Sequence, residues 1–156
     1  MLQRALPTIR ELLSYRLHRV ANLLSRGAEM RYRREFGVSL WEWRTVALLG
    51  GAGEAQSLNE LARAAGVDKG QMSRVVSGLT RRKIISRATD ANDARGIRLS
   101  LTRSGKGLYQ RLIAAAAERN SAFLGCLNQK ERVCLEQAMT KLAREARNFI
   151  QEEKHL

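Results

Sequence analysis

Gln71 and Arg74 carry side chains whose paired hydrogen-bonding atoms match the edges of adenine and guanine respectively, the chemistry of direct base readout. They stand three residues apart in Asp68-Lys69-Gly70-Gln71-Met72-Ser73-Arg74, so on a helix they share a face. At about 100° per residue, Met72, Val75, Val76 and Leu79 fall on one side of that helix as a core stripe. The opposite arc is centred on Gly70, Arg74, Ser77 and Arg81, with Gln71, Ser73 and Gly78 flanking it, and it holds no apolar side chain. Small residues at Gly70, Ser73 and Ser77 permit close backbone approach to a groove, while Lys69, Arg81 and Arg82 offer cations for phosphates. An ordinary solvated helix face has a similar composition, so the neighbours of this stretch decide what it is.

Those neighbours form a tightly punctuated unit. Ser57-x-x-Glu60 is a capping box that starts a short helix over Leu58–Ala65. Gly66 supplies the left-handed residue that closes it, and Asp68-x-x-Gln71 opens the next helix at once. Two helices joined by so short a turn have helix-turn-helix spacing. After Arg81-Arg82-Lys83 the apolar period changes from 3.6 to 2, through Ile84–Thr89 and the alternating Ile97-Arg98-Leu99-Ser100-Leu101-Thr102, with a polar turn from Asp90 to Gly96 between them. That is a hairpin, and a hairpin directly after a helix-turn-helix is a wing. Arg95 near its tip is placed to enter a minor groove, where a guanidinium is attracted by the negative potential. A structural salt bridge with Asp93 is the alternative role for Arg95, and the two are compatible, because the carboxylate can aim the arginine.

Charge concentrates here. The chain has 156 residues and a formal net charge of +13, from 28 Lys and Arg against 15 Asp and Glu. From Ser57 to Lys106 there are eleven Lys and Arg against four Asp and Glu, so over half of the net charge lies in this stretch. Such an excess favours a polyanionic partner.

The flanks are helical in pattern, with a single proline at Pro7. A first helix begins just after it, carries Ile9, Leu12, Leu13, Leu17, Val20 and Leu24 on one stripe, and fades through Arg31-Tyr32-Arg33-Arg34-Glu35-Phe36-Gly37. Ser39 caps a second helix through Val46, Leu48 and Leu49, which is expected to stop at Gly50-Gly51-Ala52-Gly53. A fifth helix through Leu108, Leu112, Ile113, Ala116 and Phe123 breaks near Gly125. A sixth, capped by Asn128-x-x-Glu131, carries Leu135, Ala138, Met139, Leu142, Ala146 and Phe149. These terminal stripes either pack on each other in a monomer or meet a second copy across a two-fold axis.

Other classes fit less well. With two histidines and no HExxH, GxSxG or GxxxxGK[ST], there are no catalytic residues to name, no metal ligands and no cofactor motif. Cys126 and Cys134 have neither metal spacing nor a disulfide framework and read as inert thiols. The absence of a long apolar run or a signal-like start leads to the expectation of a soluble, cytoplasmic protein without a membrane partner. A basic RNA-binding or anionic-membrane-binding helical module is the alternative. Against RNA stands the lack of any aromatic stacking residue from Leu58 to Leu108. The first helix partly suits a membrane surface, but a dimerisation stripe explains the same face.

Asp93-Ala94-Arg95, followed by Leu99-Ser100-Leu101-Thr102 and Gly105, resembles the wing and helix start of the multiple-antibiotic-resistance regulator (MarR) family. Ala94 departs from the pattern, standing where a second arginine is usual. The stretch Asp68–Arg74 is similar to a subset of the same family. The resemblance covers nearly the whole chain and implies a mainly α fold, a winged helix-turn-helix in the order α-α-α-α-β-β-α-α. It implies a single domain over 1–156, with the DNA-binding lobe at 40–102 and a helical dimerisation region made of 1–36 plus 103–156. It further implies a homodimeric regulator, commonly a repressor, on a pseudopalindromic site in double-stranded DNA. Release by a small aromatic or phenolic effector is also implied, with Arg16, His18, Trp41, Trp43 and Arg44 as candidate cavity residues. Trp41 and Trp43 are about 200° apart around a helix and face different ways.

Overall fold

The computed structural model describes residues 6–89 and 96–154. The chain divides into two compact units, the first running to Ile113 and the second beginning at Ala114.

In the first unit a single 3₁₀ turn at Ile9–Glu11 leads into α1, Leu13–Phe36. α1 does not fade where the arginines accumulate but stays regular to Phe36 and closes on Gly37 at φ 64°. Two local causes hold its last turns. Tyr32 is fully buried and packs on the Trp43 ring at 5.1 Å. Pairs one turn apart, Arg31 with Glu35 at 3.0 Å and Glu29 with Arg33 at 2.8 Å, turn the charged run into a ladder of small favourable terms.

α2 spans Leu40–Ala52 behind the Ser39–Glu42 capping box. It passes through Gly50 and Gly51 and ends at Ala52, capped by Gly53 at φ 74°, so the expected stop falls within Gly50-Gly51-Ala52-Gly53, at its last glycine. The reason is tertiary. A Cβ on Gly50 would lie 2.5 Å from the Tyr109 ring, so a residue that costs a helix about 1 kcal/mol relative to alanine lets that ring lie against the backbone.

α3, Leu58–Ala65, and α4, Lys69–Arg81, lie where the capping signals put them. Between α2 and α3 runs a strand the sequence reading missed, β1 at Gln56–Ser57. Strands β2, Ile85–Thr89, and β3, Ile97–Leu101, form the expected antiparallel hairpin, in register from Ile85↔Leu101 to Thr89↔Ile97. β1 adds to the other edge of β3, giving the order β1-β3-β2. The core gathers Val38, Val46, Leu61, Met72, Val76, Leu79, Ile85, Leu99 and Leu112, while Val75 is only half-buried. Thr45, the buried polar residue, donates its hydroxyl to the Trp41 carbonyl at 2.8 Å.

Glu60 closes the α3 capping box by accepting the Ser57 N–H at 2.6 Å, and Arg98 reaches it from β3 at 3.2 Å. The Ser57 hydrogen bonds first, and Arg98 more weakly, hold its carboxyl below the usual carboxylate range. A carboxyl whose pKa is lower folded than unfolded stabilises the fold above its unfolded pKa, and that support disappears as pH falls through the folded value. Glu60→Gln is therefore expected to lower the urea midpoint at neutral pH and to flatten its fall on acidification; an unchanged acid limb would separate Glu60 from acid unfolding.

The second unit comprises the end of α5, whose full span is Arg103–Leu124, and α6, Gln129–Glu153. Asn128 caps α6 reciprocally with Glu131, at 3.0 and 2.8 Å. Along α6 the side chains of Leu135, Met139, Leu142 and Phe149 stand 37–63% exposed.

Candidate nucleic-acid interface

α4 is held from behind and bare in front. Its N-terminus is fixed by Asp68, whose Oδ1 accepts the Gln71 N–H at 2.8 Å, and α3 is closed by Gly66 at φ 69°. Met72, Val76 and Leu79 anchor its inner side in the core. On the outer side Lys69, Gly70, Arg74 and Arg81 are exposed, and Gln71, Ser73, Ser77 and Gly78 are half-buried. The side chains of Lys69, Gln71, Arg74 and Arg81 make no hydrogen bond or ion pair with any described residue. A Cβ on Gly70 would sit 3.1 Å from the Asp68 carboxylate, so this position keeps both the cap and the approach to the helix open. The predicted cluster on α4 is thus brought together as a cationic, polar face with unengaged hydrogen-bonding groups.

Arg82 is placed elsewhere. Its guanidinium donates to Glu42 at 2.9 Å and to the Gly37 carbonyl at 3.2 Å, tying the end of α4 to the start of α2. Arg82→Ala should lower the unfolding free energy by about 1 kcal/mol, the range for a part-exposed ion pair with an added hydrogen bond. The urea midpoint measures it, and an unchanged midpoint would release Arg82 from this structural role.

Arg87, absent from the predicted set, is brought to the face instead. From β2 its Nη2 donates to Ser77 Oγ at 3.4 Å, setting a further cation beside α4. Arg98 points to structural partners, Glu60 and the Ala55 carbonyl. Asp93 and Arg95 lie outside the described residues.

The junction behind the hairpin explains the Leu-x-Leu-Thr-x-x-Gly pattern. Lys83 adopts the left-handed region at φ 57°, and its carbonyl accepts hydroxyls from Thr102 at 2.7 Å and Ser104 at 2.9 Å. Thr102 Oγ1 also accepts the Gly105 N–H at 3.0 Å, capping α5, while Gly105 sits where a Cβ would meet the Ile84 carbonyl oxygen at 2.1 Å. The glycine is required by that approach.

The five residues proposed for an effector cavity separate. Arg44 stacks over Trp41 at 4.8 Å and donates to Ser25 at 3.2 Å. Trp43 turns inward against Tyr32, as the 200° argument requires. A cleft of about 290 Å³ opens between Trp43, Arg44, Ala47, Leu48, Ala64 and Ala65. Arg16 is exposed on α1, and His18 Nε2 lies 2.8 Å from the Asn22 amide; neither joins the Trp41–Arg44 pair. Among the described residues no cluster of metal-ligating side chains occurs, and no helix is long and apolar enough to cross a membrane.

Residues 36–96 match the model of the MarR family. The HTH-type transcriptional repressor NicR of Pseudomonas putida is 30% identical over 83 residues, which are 53% of this chain and 52% of NicR, so the chain aligns with about half the length of this curated relative. A MarR/EmrR family transcriptional regulator from Acinetobacter sp. ADP1 shares the fold at TM-score 0.82 and 26% identity, covering 91% of this chain and 99% of that one. MepR of S. aureus, in its DNA complex, superposes at TM-score 0.79 and 20% identity over 89% of this chain and 99% of MepR.

Proposed function

We propose that this chain, whose residues 36–96 match the MarR family model and whose fold is shared with a MarR/EmrR family regulator, is a member of that family and acts by sequence-specific DNA binding in transcriptional regulation, with repression as the outcome. The outer arc of α4 carries this reading: a face without apolar side chains, holding unengaged Gln71, Arg74, Lys69 and Arg81 on a helix anchored from behind. α4 enters a major groove, where Gln71, Ser73, Arg74 and Ser77 read base edges and Lys69 and Arg81 hold phosphates. Arg87 joins the phosphate contacts, and Arg95 takes the minor groove. Arg82, engaged by Glu42, serves the lobe's stability instead. The naming of NicR as a repressor and the capture of MepR on DNA support the class of function.

The DNA-binding lobe is 40–102, and 1–36 with 103–156 make the dimerisation region. Leu13, Leu17, Val20 and Leu24 on α1 are 42–55% exposed, and the α6 stripe is similarly uncovered, so each offers apolar surface to a second copy. The homodimer binds a pseudopalindrome with half-sites roughly 10 base pairs apart, centre to centre. A small aromatic or phenolic anion at the Trp41–Arg44 pair is the effector, with the guanidinium answering its charge.

Selection from random duplex DNA at about 150 mM salt tests the reading, because purely electrostatic binding is already weak there. Enrichment of an inverted repeat with that spacing is expected. Binding that enriches nothing and vanishes with rising salt would overturn the regulator reading.

A further inference from the structure

We propose that Arg98 is a positioning residue that fixes the angle of the β2–β3 hairpin to α4, and with it the spacing between major-groove core and minor-groove flank that one half-site must have. The inference rests on the DNA-binding reading above and adds to it a residue that is not itself a DNA contact. Arg98 lies on β3 opposite Ser57 of β1 and opposite Ala88 of β2, in the middle strand of the sheet. Its guanidinium reaches out of the sheet to α3 and to the loop before β1. Nη1 donates to Glu60 Oε2 at 3.2 Å, and Nη2 donates to the Ala55 carbonyl. The same Oε2 accepts the Ser57 N–H at 2.6 Å, which closes the α3 cap. Hairpin, β1 and α3 therefore meet at a single carboxylate oxygen.

The level of this hold along the hairpin gives it leverage. Beyond Ala88↔Arg98 the described ladder has one more pair, Thr89↔Ile97, whose side chains are exposed. At the neighbouring pair, Arg87↔Leu99, Leu99 is buried and Arg87 reaches Ser77 of α4. Successive strand residues point to opposite faces, so the hairpin is held towards α4 on one face and towards α3 on the other, at adjacent pairs. α3 passes its restraint to α4 across the turn closed by Gly66. The Arg98 hold is the firmer of the two. It joins a charged and a neutral acceptor through a side chain that is 29% exposed, whereas Arg87 meets one hydroxyl at 3.4 Å. It also needs arginine, whose planar fork serves two acceptors at once, while lysine brings the same charge as a point.

Competition binding of the full chain tests this on the operator that wild type selects and on a duplex whose minor-groove flank is moved outward by one base pair, about 3.4 Å, in each half-site. Wild type is expected to lose roughly tenfold in affinity on the shifted duplex, the scale of one mismatched position. Arg98→Lys, which keeps the charge and loses the fork, should bind the unshifted operator more weakly, lose less than about threefold on the shift, and keep the wild-type salt slope. Arg98→Met, which keeps the aliphatic stem, should show the same tolerance. A wild type that tolerates the shift overturns the proposal, and so does a lysine variant as selective as wild type. Equal losses for Arg98→Met on operator, shifted operator and random duplex, with a lowered urea midpoint, would leave Arg98 a purely structural role and overturn it as well. Failure of wild type to select any operator is a separate result, which removes the regulator reading and this inference with it.

Discussion

Replacing Gly105 by alanine is expected to cost about 3 kcal/mol of stability, the sum of overpacking and a weakened helix cap. The new methyl carbon would meet the Ile84 carbonyl oxygen at 2.1 Å, a backbone atom with no rotamer to escape into. Ile84 is held through both of its backbone groups, because its N–H donates to the Leu79 carbonyl at 2.9 Å and its carbonyl accepts the Thr102 N–H at 3.0 Å. Relief therefore requires α5 to move off the turn. Moving it stretches the Thr102 cap and the two hydroxyl bonds to the Lys83 carbonyl. The same helix provides a control. A Cβ on exposed Gly107 meets nothing within 4 Å, so Gly107→Ala should gain roughly 0.5 to 1 kcal/mol from helix propensity alone. Urea unfolding of the two variants should move the midpoint in opposite directions. If both were stabilising, the close approach of α5 to Ile84 would be wrong.

What was legible in the sequence follows the range of the interaction concerned. Ser39, Ser57, Asp68 and Asn128 each accept from a backbone N–H three residues on, so the caps, and with them the starts of four helices, could be read from short windows. The change of period from 3.6 to 2 likewise revealed the hairpin. Features that depend on distant partners were misread or missed. Which glycine of Gly50-Gly51-Ala52-Gly53 ends α2 was not legible, because Tyr109, which packs on Gly50, lies 59 residues away. Arg82 looked free because Glu42 is 40 residues earlier in the chain. Arg87 was counted only as charge, since nothing local shows that β2 will bring it to Ser77. β1 is two residues long, too short for any alternation to show. For the interface, local pattern placed the α4 cluster on one face, while tertiary structure redistributed the surrounding arginines.

That redistribution sets the second large effect. Arg74→Ala is expected to weaken binding to the selected operator by 1 to 3 kcal/mol, roughly 5- to 150-fold, while changing affinity for random duplex far less. The guanidinium is exposed at the centre of the outer arc and has no partner among the described residues, so its removal leaves the fold intact. Its loss should also relax discrimination at one position per half-site, where a guanine edge no longer finds its paired donors. Arg81→Ala should behave differently. A phosphate contact carries no sequence information, so both operator and random DNA should weaken together, and the slope of log affinity against log salt should fall by about 1 per site. Arg82→Ala should leave that slope unchanged because its guanidinium is committed to Glu42 and Gly37. Titrations of the three variants on both DNAs at two salt concentrations separate these roles. Equal losses for Arg74→Ala on operator and random duplex would remove base reading from α4's central arginine, and a reduced slope in Arg82→Ala would return that residue to the phosphates.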